Sequence, residues 1–374
     1  MGTKGKCLNM CPVLEIEMRE RERLLHPLEM LAGTEKNKHP TADRNRIIKC
    51  FCRSAAGINL TCPNQLRPPE VLLKTIKYLF THVVNDTRFR PICVYDFIVD
   101  RLRSIQQDMV IQDLPPEDCI QILEPIVRFH ALYAYRLCEE KIINYDPVLN
   151  KKHFLEYLKR LLVCYDEMEN LRCAQSSDLI ISGMKSLNIR SQNSSLNFYT
   201  KEVISKRPLM EAIYIMSNLG DVHPLERFLR IPEKFKSPLL KSCFIASVSH
   251  FTRNWIKECT ILKTLPPLVL CVGILHLPAI RRNALEVMSH AYNSKVLKYP
   301  IENIKDMLLY ESTSQVIDDC LHYNIKIIEG KYTCFLKDSF NGNNTKVIPV
   351  KTKFLDELLR QTNLENHLLD DIRD

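Results

Sequence analysis

Cysteine is the residue whose spacing in this chain comes nearest to chemistry. Of the 15 present, Cys7, Cys11, Cys50, Cys52 and Cys62 gather near the amino terminus. Folded together they would offer the sulfur donors of a tetrahedral zinc site, but neither Cys7-x-x-x-Cys11 nor Cys50-x-Cys52 has the tighter C-x2-C form. Small buried thiols are the favoured reading. A nucleophilic Cys50 or Cys52 would need a base held beside it in an electropositive pocket. Their surroundings are basic, and His39 and His82 are not far away, yet nothing in the spacing orients them. The paired carboxylates Asp318-Asp319 sit in a helical pattern and are expected to face water. No H-E-x-x-H, G-x-G-x-x-G or Walker run occurs, and with 9 Gly a phosphate-cradling loop is not expected. No catalytic residue, metal ligand or cofactor site is assigned, and the chain reads as a non-enzyme.

The second candidate chemistry is cationic. Lys326, Lys331 and Lys337 lie on or beside an alternating apolar segment, and Lys346, Lys351 and Lys353 follow. Such a row can neutralise phosphates. Asp318, Asp319, Glu329 and Asp338 intervene, so a mixed solvated surface is the equal alternative. No row of aromatic residues accompanies the lysines, so base-specific reading is not expected.

These residues need elements to position them. Ile325 and Ile327 alternate with Lys326, Glu329-Gly330 supplies a turn, and Tyr332–Leu336 returns, which predicts a β-hairpin. Before it, Pro300–Leu309 reads as a short helix. Ser312 and Gln315 form a capping box that opens a helix over Thr313–Tyr323. Helix, helix, hairpin is the order of a winged-helix unit, and Phe354–Gln361 reads as a closing helix. Upstream, helical stripes cover Val71–Val84, Tyr95–Gln112, Ile122 to Leu137 with Pro125 inside, and Phe154 to Met168. Further helices are expected over Tyr199–Leu219 with a stop at Gly220, Ser237–Trp255 and Pro267–Asn293. The Ser-, Asn- and Gln-rich run Cys173–Asn197 reads as a loop.

Tyr95–Gln112 is the most patterned stretch. Tyr95, Ile98, Leu102, Ile105 and Met109 form its apolar face, and Asp96, Asp100, Arg103 and Gln107 a charged one. Asp100 and Arg103 are spaced to pair. A solvated face is the simpler reading of that stripe; a buried polar network that fixes neighbouring helices is the sharper one. The segment Met30–Asn64 carries Lys36, Lys38, His39, Arg44, Arg46, Lys49 and Arg53 with few acids. It is either an arm wrapped on the body or a solvated loop.

Composition bounds the class. The chain has 374 residues, 45% hydrophobic and 26% charged, with a formal charge of +8 that permits an acidic partner without demanding one. Unpaired cysteine spacing and the lack of an apolar leader point to a reducing compartment. The most apolar run, Leu265–Ile280, is interrupted by prolines and falls short of the roughly 20 residues of a membrane span, so no membrane insertion is expected.

The stretch YDFIVDRLRSIQQD resembles the signature of the SAC/GANP family, the conserved domain of a nuclear mRNA-export scaffold, and most of all its short members. Three further blocks agree in order and spacing: GKCLNMCP at Gly5–Pro12 with Glu15, Arg19 and HPLE at His26–Glu29; RSAAG at Arg53–Gly57; and LRP at Leu66–Pro68. One position departs, Gln106 standing where the family usually has Arg. The resemblance marks Arg53, Gly57, Tyr95, Asp96, Asp100, Arg101, Arg103 and Asp108 as signature residues.

It implies a mainly α fold of stacked helical hairpins, a PCI-like array, ending in a winged helix with a small β-hairpin. It implies a scaffold that binds a second PCI-type protein, is braced by a small acidic protein, and contacts RNA or DNA in the nucleus. Short relatives imply a centrosome or spindle adaptor as the alternative. The long flanks by which large members reach the nuclear pore are expected to be lacking here. The expected segments are 1–65, a Cys-Pro motif and basic arm; 66–172, a first helical array; 173–197, a linker; 198–299, a second array; and 300–374, the winged-helix unit.

Overall fold

The computed structural model describes residues 3–53, 60–183, 206–343 and 349–369, and of 174–183 the backbone alone. Gly57, Lys346 and most of the expected linker lie outside the described residues. The chain divides into two compact units, each assembled from separated stretches. Unit 1 comprises Met1–Phe129, Glu156–Ile204 and Leu364–Asp374; unit 2 comprises His130–Leu155 and Ser205–Asn363.

The described chain is mainly helical. In order run α1 (Val13–Arg21), α2 (Pro69–Tyr78), α3 (Pro91–Ile111), α4 (Pro116–Arg136) and α5 (Pro147–Gly183). Then come α6 (Arg207–Ser217), α7 (Val222–Arg230), α8 (Pro238–Phe251), α9 (Trp255–Leu262), α10 (Pro267–Gly273) and α11 (Leu277–Ala291). The carboxy-terminal part holds β1 (Tyr299–Pro300), α12 (Ile301–Met307), α13 (Thr313–His322), β2 (Lys326–Ile328), β3 (Tyr332–Cys334), α14 (Lys353–Arg360) and α15 (Leu364–Leu369). Proline opens α2, α3, α8 and α10 from their first turns, where a missing N–H is no loss.

In unit 1, α3 is the central element. Its Tyr95 and the Phe80 ring stack on Phe129, at centroid distances of 5.9 and 5.3 Å. The expected helix over Val71–Val84 is α2 followed by a π-turn at Leu79–Val83. The chain is not a loop from Cys173 onward as expected, because α5 continues through Gly183; 184–197 lie outside the described residues. Ser, Asn and Gln lower helix propensity only slightly, so a run rich in them does not by itself end a helix.

In unit 2, α6 packs against α8 and α10, and α8 against α9. The single helix expected over Ser237–Trp255 is two, since Arg253 takes a left-handed φ of 56° and Asn254 caps α9 by accepting the Lys257 N–H at 3.1 Å. The helical structure that holds the apolar run extends past Ile280 to Ala291. Pro278 falls in the first turn of α11, so helical structure continues over Pro267–Ala291, 25 residues, with 61% of its most apolar window buried in the protein. By length and composition alone that run is sufficient to cross a membrane.

β1, β3 and β2 form a three-stranded antiparallel sheet in that order. Ile327 lies opposite Thr333, and Tyr299 opposite Thr333 on the other side. The turn at Glu329 and Gly330 has φ of 54° and 65°, the paired positive values of a tight hairpin, closed by the Lys331 N–H on the Ile328 carbonyl. β1 was not legible in the sequence. It is two residues long, and its Pro300 is tolerated because an edge strand leaves one N–H side unused.

One buried group of unit 2 gives this part of the fold a pH dependence. His130 is fully buried and its Nδ1 lies 2.7 Å from Asn150 Oδ1. Burial pushes its imidazole down from 6.5 to about 4. Above pH 6.5 the ring is neutral folded or unfolded; between 6.5 and 4 the unfolded chain takes up a proton that the folded one refuses. Stability should therefore fall by about 3 kcal/mol as pH drops through that window. Urea midpoints at pH 7.5 and pH 4 measure it, and His130→Leu should flatten the difference between them.

Candidate functional site

Three of the signature residues, Asp100, Arg101 and Asp108, lie in unit 1 in two adjoining charge clusters that fasten residues 3–53 and Arg67 to α3. The elements are set by local rules. His26 Nδ1 caps the turn at Pro27–Glu29 by accepting the Leu28 N–H, placing Glu29 inward. Along α3, Phe97, Arg101, Ser104, Asp108 and Gln112 recur every three or four residues and share a face.

The first cluster centres on Glu29, which is fully buried. Its carboxylate accepts from Arg19 and, at 3.0 and 3.3 Å, from Arg101. It also accepts the Ile48 N–H at 3.0 Å, while Arg19 donates to the Ile48 carbonyl at 3.1 Å. Arg101 pairs further with Asp100 and lies 4.3 Å over the Phe97 ring. Burial opposes the Arg101 charge, yet the facing carboxylates, Glu29 before Asp100, hold its guanidinium above the ordinary value. Glu15, one turn before Arg19, accepts the Cys50 N–H at 2.8 Å.

The second cluster centres on Asp108, also fully buried. Its two oxygens accept from Lys49 Nζ at 2.6 Å and Arg67 Nε at 2.7 Å. Remaining donors are matched: Lys49 reaches the Gln65 carbonyl at 2.8 Å, and Arg67 reaches Ser104 Oγ at 2.9 Å and the Met10 carbonyl at 3.3 Å. Gln112 donates to the Arg67 carbonyl at 2.8 Å and accepts the Gly5 N–H at 2.8 Å. A Cβ at Gly5 would sit 2.5 Å from the Leu66 carbonyl oxygen and 2.7 Å from Gln112, so the close approach admits only glycine.

Several expectations change in consequence. The buried stripe of α3 is not Asp96, Asp100, Arg103 and Gln107 but its neighbour. Asp96 is exposed, Asp100 is half-buried, and Asp100 pairs with Arg101 and the Phe51 N–H rather than with Arg103. Arg103 instead stacks 3.8 Å over the Phe51 ring. Of the basic residues of Met30–Asn64, read as either an arm wrapped on the body or a solvated loop, Lys49 is buried, while Lys36, Lys38, His39 and Arg44 are exposed. Arg53 is exposed, and Gln106 donates to Glu156 at 2.9 Å on the surface. Cys7 and Cys11 are buried and Cys50, Cys52 and Cys62 half-buried. Burial pushes the Cys50 thiol up to about 12, which leaves it protonated near neutrality and so unsuited to attack. Among the described residues no group of three His, Cys, Asp or Glu side chains could hold a metal ion. Asp319 does not face water freely; it accepts the Tyr310 hydroxyl at 2.8 Å.

The hairpin lysines lie in unit 2. Lys326, Lys331 and Lys337 are exposed. Lys298, not singled out in the sequence, joins them from before β1: it lies 3.4 Å from Glu329 and 5.9 Å from the Tyr332 ring. Tyr332 is thus the aromatic ring beside a cation here, and Tyr292, 40% exposed, lies 5.2 Å from the Tyr299 ring. They are spread over forty residues of sequence, and only the β1–β3 pairing gathers them.

Comparison with known proteins adds a family. The family model described as the SAC3/GANP family matches residues 10–329. SAC3 family protein 1 of Schizosaccharomyces pombe is 24% identical over 98% of this chain and 34% of its own length. Protein xmas of Drosophila melanogaster is 23% identical over 88% of this chain and 15% of its own length. SAC3 family protein B of Arabidopsis thaliana is 28% identical over 36% of this chain and 8% of its own. The chain thus spans about a third or less of the length of these relatives.

Proposed function

Because the chain belongs to the SAC3/GANP family, we propose that it is a non-enzymatic scaffold of the nuclear mRNA-export type, whose carboxy-terminal end recruits macromolecules as a winged helix. The single observation that carries this reading is the order α11, β1, α12, α13, β2, β3 with the sheet order β1-β3-β2. Three helices followed by a two-stranded wing, with a short strand threaded before the second helix, is the winged-helix arrangement. The start of α13 is capped: Ser312 Oγ accepts the Gln315 N–H at 3.3 Å, and Gln315 Oε1 accepts the Glu311 N–H at 3.0 Å.

In this reading the helices upstream form a PCI-like array. Its partners are a second PCI-type protein joined at the winged-helix end and a small acidic protein that braces the pair. Lys298, Lys326, Lys331 and Lys337, backed by Tyr292, Tyr299 and Tyr332, bind the backbone of RNA or DNA. The clamp in unit 1 has a positioning role: it ties the amino-terminal segment to α3.

The test pairs co-expression with a salt titration. The chain should co-purify with a second PCI-type protein. In Lys326→Glu/Lys331→Glu, affinity for a single-stranded oligonucleotide should fall and the slope of log affinity against log salt should flatten by about 1.5, since each neutralised phosphate contributes about 0.7. An unchanged slope together with no co-purification would count against both halves of the reading.

A further inference from the structure

A cavity of about 410 Å³ opens in unit 2, lined by α9, α10, α12, the turn after α12 and the start of α14. Its volume falls within the range of ligand pockets, about 300–1,000 Å³. The floor is apolar. Leu262 and Leu270 are fully buried, and Ile274 is 3% exposed. Leu309 forms one wall in a left-handed conformation, φ 59°, that a leucine rarely adopts. Arg281 pins it there by donating to the Leu308 carbonyl at 3.0 Å and to the Leu309 carbonyl, its guanidinium stacked 3.9 Å over Tyr310. The Tyr310 hydroxyl is spent on Asp319, so it offers the cavity no donor.

The rim is charged and unbalanced. Lys263, Lys305 and Lys353 face Asp306 and Glu311, three cations against two carboxylates. Both carboxylates are engaged within the fold. Asp306 lies 3.7 Å from Lys305, which also pairs with Glu302, and Glu311 accepts the Lys353 backbone N–H. Lys263 Nζ donates to the Asp306 carbonyl at 3.2 Å, and neither it nor the Lys353 ammonium has a carboxylate partner among the described residues. Phe354, 44% exposed, stands at the mouth.

We propose that this cavity receives one bulky apolar side chain of a partner peptide whose flanking residues are acidic. The apolar floor takes the anchor, and Lys263 and Lys353 take the flanking carboxylates. Peptide grooves of this kind combine a buried anchor with charge at the rim. The site is lined by other elements than β2 and β3, so it stands whether or not the hairpin lysines bind nucleic acid.

The test uses the full chain and a fluorescein-labelled seven-residue peptide of Asp and Glu with one central Trp, read by fluorescence anisotropy. Two control peptides carry central Ala, or Lys in place of the acids. The Trp peptide should bind, and each control at least tenfold more weakly. Lys263→Glu/Lys353→Glu, both at exposed positions, should weaken the Trp peptide at least tenfold at an unchanged melting temperature. Phe354→Ala should weaken it severalfold. The proposal is overturned if the Trp peptide fails to bind, if the Ala or Lys peptide binds equally well, if the double lysine variant binds as the parent does, or if a uridine oligonucleotide displaces the peptide from the parent but not from Lys326→Glu/Lys331→Glu.

Discussion

Asp108→Asn is expected to cost about 3–5 kcal/mol, the loss seen when one member of a buried ion pair is removed and its partners are left uncompensated. Two cations depend on this carboxylate. Lys49 is 8% and Arg67 0% exposed at the side chain, and both point their charge at Asp108. The amide keeps the volume and one acceptor but removes the charge, so the loss reports electrostatics rather than a cavity. Urea denaturation of the full chain measures it. The same variant should expose residues 3–53 to limited proteolysis below the main transition, because Lys49 and Arg67 tie that segment to α3. Removing a cation as well, in Asp108→Asn/Lys49→Met, should recover part of the loss, since an apolar replacement has no charge to compensate. A midpoint within error of the parent's would show that Asp108 does not hold the segment.

The second large effect is expected at Glu29→Gln, again about 3–5 kcal/mol. Arg19, 3% exposed at its side chain, and Arg101, 6% exposed, would lose their shared carboxylate. The readout that separates this clamp from the first is local. The Ile48 N–H donates to Glu29 Oε1, so its hydrogen-exchange protection should fall in Glu29→Gln and be retained in Asp108→Asn. Asp100→Ala is the control. Its carboxylate is 38% exposed, so although it touches Arg101 and the Phe51 N–H, its removal should cost no more than about 1 kcal/mol. Equal losses for Glu29→Gln and Asp100→Ala would remove Glu29 from the centre of the cluster.

These clamps give the signature a physical meaning. Gly5 leaves room for the Leu66 carbonyl, Arg19 and Glu29 close the first cluster, and Arg67 and Asp108 close the second. The blocks at Gly5–Pro12, His26–Glu29, Leu66–Pro68 and along α3, far apart in sequence, supply the two sides of one set of buried contacts. In both clusters each charge is matched to another within the fold.

How much of this was legible depends on the range of the forces involved. The helix start after Ser237, the Ser312–Gln315 cap, the stop at Gly220 and the turn at Glu329-Gly330 are all encoded within four or five residues, and periodicity with turn chemistry reveals them; the start of α3 at Pro91, four residues before Tyr95, was not among them. The sequence by itself therefore determined a mainly helical chain ending in a helix, a helix and a hairpin, and its blocks of residues determined the family. The tertiary structure alone decided which polar face of α3 is buried. Periodicity shows that two stripes exist, and the denser one, through Asp96, Asp100, Arg103 and Gln107, proved to be the outer. The inner face is chosen by partners 59 and 41 residues away, Lys49 and Arg67, brought to Asp108 by the path of the chain. The strand β1 and the cavity beside Leu309 were hidden for the same reason: both exist only where distant segments meet, and no local pattern records that meeting.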